Sequence, residues 1–201
     1  MKNTAHEELD SDELLHLALL ASKQNNHEES ISLLKRAQTK APKEGKIYYL
    51  LGAEHAQIGL YDRAAEEMTK AVALDPQLHT ASFQLGLLHI TSGRIDAATQ
   101  AWQPLDALGD ENPLFLFKTG MLHLVRDEFE QCANLIKKGI KLNNSNESLN
   151  HDMQRVLADV EKHLSITQAG TGKSPATKPG EGTTKHVLLS AYGENKDDEN
   201  D

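Results

Sequence analysis

The chain has 201 residues, 21 Lys+Arg against 30 Asp+Glu, a formal net charge of -9, 38% hydrophobic residues and 4% aromatic ones. The acidic balance excludes a general binder of the nucleic-acid backbone, which needs a Lys/Arg-rich surface, and no apolar run approaches the ~18 residues of a membrane span. The single cysteine, Cys132, excludes an internal disulfide and points to a reducing, cytoplasmic setting.

Residues 1–10 are polar and acidic and read as an N-terminal extension, not a signal peptide. From residue 11 onward the hydrophobic period is helical. It predicts helices near 11–24 and 27–40, 45–58 and 61–74, 79–92 and 95–108, 113–126 and 129–142. In the third helix Tyr48, Leu51, Gly52 and His55 fall at i, i+3, i+4 and i+7. Ile58-Gly59-Leu60 breaks that pattern. Tyr61, Ala64, Met68, Ala71 and Leu74 then form a second stripe, closed by Asp75-Pro76, where proline disfavours further helix. Pro104 falls inside the sixth helix, which should kink or end early there. Leu149, Met153, Val156, Leu157, Val160 and Leu164 line one face of a capping helix over 147–164, with Ser145 or Asn146 at its start. Residues 165–201 have the composition of a flexible linker and tail: Gly, Pro, Ser and Thr first, an apolar island at 186–192, then an acidic end.

The helices recur in pairs. Ala18, Gly52, Gly86 and Gly120 are 34 residues apart, as are Ser30, Ala64, Ala98 and Cys132. Small residues in such columns let neighbouring helices approach inside the usual ~8–10 Å. Four units follow, at about 11–44, 45–78, 79–112 and 113–144. Tyr48, Leu51, Gly52, His55, Ala64, Met68, Ala71 and Pro76 occupy the signature columns of the tetratricopeptide repeat, which the chain resembles over residues 11 to about 144. The resemblance implies an all-α fold: a right-handed α-solenoid of four helix–turn–helix units, closed by the C-terminal capping helix.

The resemblance also implies a concave groove lined by the first helix of each unit. The matching residues are Leu15, Leu19, Tyr49, Ala53, Phe83, Leu87, Ile90, Phe117, Met121 and Leu124. All are apolar or aromatic, so an exposed apolar strip is expected, fitted to a protein or peptide that presents an apolar helix. Some family members clamp acidic chaperone C-termini with Lys and Asn; here Leu15, Leu19, Tyr49 and Ala53 stand in those columns, so that partner is not expected.

Other motifs carry no chemistry. His55, His89 and His123 share a column, but zinc holds its nitrogens at about 2.0–2.1 Å, whereas successive repeats stand about 8–10 Å apart. They read as packing residues, and no metal is expected. Gln168–Ser174 resembles the end of a phosphate-binding loop but lacks its first glycine and its strand–helix setting. Cys132 reads as a small buried packer. With no catalytic constellation, the chain reads as a non-enzyme without cofactors: a protein-interaction module, adaptor or chaperone-like. The second reading is a self-associating or scaffold subunit of a larger assembly. In it Val187, Leu188, Leu189 and Tyr192 of the tail dock in the groove of their own or a neighbouring chain, giving autoinhibition or self-association.

Overall fold

The computed structural model describes residues 9–169. These residues form helices α1 (Ser11–Lys23), α2 (His27–Lys40), α3 (Gly45–Gln57), α4 (Tyr61–Leu74), α5 (His79–Thr91), α6 (Ile95–Trp102), a 3-10 segment (Gln103–Leu108), α7 (Pro113–Val125), α8 (Phe129–Leu142) and α9 (Glu147–Ala169). No strand occurs among them. The fold is an all-α helical-repeat solenoid. The chain divides into two compact units, Met1–His89 and Ile90–Asp201.

In the first unit each helix packs on its sequence neighbour: α1 on α2, α2 on α3, α3 on α4. Asp10 starts α1 with a capping box. Its carboxylate accepts from the Asp12 and Glu13 backbone N–H groups at 2.9 Å, and the Glu13 carboxylate accepts from the Asp10 N–H at 2.9 Å. Leu14, Ala18, Leu33, Leu34, Ala37, Ile47 and Leu51 form the core. At Gly52 a Cβ would stand 2.7 Å from Met68 Cγ and 3.1 Å from the Ala64 carbonyl oxygen. That glycine therefore lets α3 and α4 approach closely. His27 Nδ1 meets Glu54 Oε2 at 2.8 Å and ties α2 to α3.

In the second unit Pro104 reshapes the sixth helix. Proline brings no N–H and its ring crowds the preceding turn. The α-helix accordingly ends at Trp102, and the chain continues as 3-10 helix through Leu108 instead of as α-helix to 108. Trp102 and Leu105 remain buried. Helix α7 begins at Pro113, capped by the Asn112 carboxamide oxygen, which accepts from Leu114 N–H at 2.9 Å. Helix α9 is seated on α8 by the Phe129 and His163 rings, 4.1 Å apart between centroids, and by the Lys137–Glu161 ion pair at 2.6 Å. Asn146 caps it, accepting from Leu149 N–H at 3.0 Å. Leu149, Met153, Val156 and Val160 are its buried stripe. α9 reaches Ala169, so residues 165–169, expected as linker, are helical. Backbone bonding continues because no Pro or Gly intervenes before Gly170.

A column absent from the expectations sets the turn inside each helix pair. Asn25, Gly59, Gly93 and Asp127 lie 34 residues apart and have φ of 57°, 78°, 74° and 59°. Left-handed backbone at a helix C-terminus favours Gly and tolerates Asn or Asp, and those are the residue types present.

Candidate functional site

The expected groove residues do not form an exposed strip. In the first unit Leu15 is buried in the core, Leu19 is 38% exposed, Tyr49 and Ala53 are half-buried, and Phe83 and Leu87 are buried. In the second unit Ile90, Phe117, Met121 and Leu124 are buried. The cause is visible in α5 and α7. Ala81, Phe83, Leu85, Leu87, Leu88 and Ile90 of α5 are buried on every side, the pattern of an enclosed helix and not of an amphipathic surface one. In α7, Phe117 turns toward α8. A Cβ built on Gly139 would stand 2.6 Å from Phe117 Cδ1 and nearer still to Cε1. The glycine that departs from the small Ala column thus makes the space for this ring. Leu19 remains accessible, with Leu20 beside it at 42% exposure. Val187, Leu188, Leu189 and Tyr192 lie outside the described residues, as does most of the 168–174 string.

The histidine column has a mixed character. His55 is 3% exposed, and its Nδ1 has no hydrogen-bond partner among the described residues. Burial lowers its pKa, opposed by the Glu67 and Glu54 carboxylates and assisted by Arg63 and Lys35. His89 is half-buried, and His123 pairs through Nδ1 with Glu128. No group of three or more His, Cys, Asp or Glu side chains able to hold a metal occurs among the described residues. Cys132 is fully buried, and desolvation pushes its thiol up to about 12. The thiolate is therefore inaccessible in the folded state.

Two charged features escaped the sequence reading. Lys118, 6% exposed, pairs with Asp106 of the 3-10 segment and stands 5.0 Å from the Phe115 ring centroid. The Pro104 departure carries that carboxylate, so the buried ammonium belongs to the same local rearrangement. The second feature is the turn between α2 and α3. Lys40, Lys43 and Lys46 are exposed there and make no ion pair with a described residue. The turn is fixed by the Tyr48 hydroxyl, which donates to the Pro42 carbonyl at 2.9 Å, and Lys70 lies 5.9 Å from the Tyr48 ring centroid. Its signal was a run, 35–46, with five basic residues and one acid in an acidic chain.

A tetratricopeptide-repeat family model matches residues 15–79. Anaphase-promoting complex subunit 3 of Schizosaccharomyces pombe (strain 972 / ATCC 24843) is 22% identical over 147 residues, which is 73% of this chain and 22% of that protein. Among solved structures, the Cut9–Hcn1 hetero-tetramer of the same complex superposes with a TM-score of 0.67 at 22% identity, over 82% of this chain and 32% of that one. MamA gives 0.57 at 19% identity over 69% and 81% of the two chains. PilF of Pseudomonas aeruginosa gives 0.56 at 20% identity over 82% and 78%. At these identities the likeness is one of fold. No helix among the described residues is long and apolar enough to cross a membrane.

Proposed function

As the chain is a tetratricopeptide-repeat protein, we propose that it acts as a non-catalytic interaction module that binds a partner protein through an apolar helix or peptide. Proteins of this family are generally interaction modules. The observation that carries the finer reading is the accessible apolar side of the first unit: Leu19 and Leu20 exposed, Tyr49 and Ala53 half-buried. Leu15, Phe83, Leu87, Ile90, Phe117, Met121 and Leu124 are buried, so in this reading they hold the helices in place and the guest touches Leu19, Tyr49 and Ala53. Each Å² of apolar area removed from water contributes about 25 cal/mol, offset by the ordering of both surfaces.

The test is crosslinking in the native cell, with mass spectrometry of what is captured, followed by titration of the purified partner. Leu19→Asp and Tyr49→Ala should each weaken that titration at least tenfold, the equivalent of about 1.4 kcal/mol. Unchanged affinity in variants with intact helical circular dichroism rules the surface out.

A second reading is a scaffold subunit of a larger assembly, with the tail residues Val187, Leu188, Leu189 and Tyr192 as an internal or exchanged ligand. It draws on the similarity to a subunit of the anaphase-promoting complex and to a hetero-tetramer of that complex. Light scattering across a concentration series separates a self-associating subunit from a monomeric binder.

A further inference from the structure

We propose that the acidic end of the chain, Glu194–Asp201, docks on the basic turn between α2 and α3 of its own molecule, at Lys40, Lys43 and Lys46. The two segments are complementary. Residues 35–46 hold five basic side chains against Glu44 alone, and residues 193–201 hold five acidic side chains against Lys196 alone, in a chain whose net charge is -9. A basic run is unusual in such a chain, and the general repulsion of its surface for an acidic segment is reversed there.

The turn is suited to the role. Lys40, Lys43 and Lys46 are exposed and carry no described counter-charge. The Tyr48–Pro42 hydrogen bond at 2.9 Å holds the backbone between them, so little order is lost when an anionic segment binds. The nearby acids do not neutralise the lysines: Glu44 is half-buried, and Glu67 faces Lys70 at 4.0 Å.

Single exposed ion pairs are weak, so a free acidic peptide would bind this turn poorly. Tethering changes that. The tail leaves α9 at Ala169, and residues 170–193 connect it to Glu194. A linker of that length has a root-mean-square span of about 27 Å and a full extension near 80 Å. It presents the acidic segment at an effective concentration on the order of mM. Lys46 precedes Tyr49 by three residues in α3, so both share one side of that helix. A docked tail would therefore stand beside the surface assigned above to a guest. The contact itself requires no guest and is tested without one.

The experiment uses the full chain with Asn200→Cys carrying a nitroxide. Cys132 is fully buried with its thiol pushed up to about 12, so the label goes to position 200. Amide resonances of residues 40–46 are followed by NMR at ~0.01 M salt, where charges act over about 30 Å, and at ~1 M, where they act over about 3 Å. The expected result is loss of most of the 40–46 intensity at low salt and its recovery at high salt. The loss should also vanish in Lys40→Glu/Lys43→Glu/Lys46→Glu. Should that variant misfold, Asp197→Lys/Asp198→Lys/Glu199→Lys makes the same test from the tail side. Unbroadened resonances at low salt overturn the proposal. So does broadening that survives the charge reversals, or broadening transferred equally to an isotope-labelled chain without nitroxide, which would mean contact between copies.

Discussion

His55 occupies a column where the repeat usually places a larger aromatic ring. Its imidazole is buried, with Nδ1 unpartnered among the described residues. Burial lowers its pKa, and of its charged neighbours Glu67 and Glu54 oppose the shift while Arg63 and Lys35 add to it. The sign of the consequence follows from linkage. Above the ordinary value of 6.5 the ring is neutral in both folded and unfolded chains. As pH falls below that, the unfolded chain takes up the proton first, so stability drops until the lowered folded-state pKa is reached. One such proton changes stability by at most about 1.36 kcal/mol per pH unit. Urea midpoints at pH ~7.5 and ~5.5 should therefore differ less in His55→Phe than in the parent chain. Equal differences would show that His55 does not titrate against the fold. The packing role of this column was legible in the sequence. The unpartnered nitrogen was not, because it depends on which side chains of α4 face the ring.

The α7–α8 pair shows how one helix sets the composition of its neighbour. Gly139 stands where the other units carry a small residue with a Cβ, and Phe117 fills the space. Alanine would gain about 1 kcal/mol of helix propensity. It would also press into a fully buried ring, and overpacking of this kind costs typically about 1–3 kcal/mol. Gly139→Ala should therefore destabilise the chain, and Phe117→Leu should be less harmful in the Ala background than alone. A double-mutant cycle by denaturant unfolding checks this, and additive effects would mean that the two positions are independent. The sequence made both residues conspicuous but separated them, assigning Phe117 to a groove and leaving Gly139 as an anomaly. Periodicity tells which residues share a helix face, not how far that face turns toward a neighbour. Pro104 was different: a missing N–H is a local property, and the α-helix ends at Trp102, just ahead of it.

At the scale of the whole molecule, the fold class was legible because the 34-residue period is repeated and each unit can bury its apolar face only against the next. The degree of burial was not, since the groove assignment came from family columns and the apolar character of α5 and α7 on several sides was read as surface. Within each unit the contacting helix pairs are sequence neighbours, so loop-closure entropy is small. The principal refolding phase should lie in the μs–ms range expected of helical folds with local contacts. Stopped-flow and temperature-jump fluorescence of Trp102 would measure it, and a main phase of seconds would point to long-range contacts as the slow step. The proline-imposed 3-10 segment has a metric consequence as well. Ile95–Leu108 and Tyr61–Leu74 contain the same number of residues. At 1.5 Å per α-helical residue and 2.0 Å per 3-10 residue, the former is longer by about 3 Å. The period conserves residue count but not rod length. The two second helices are thus interchangeable as text and not as spacers: a chimera carrying Tyr61–Leu74 in place of Ile95–Leu108 would keep perfect register in sequence while drawing in the start of α7.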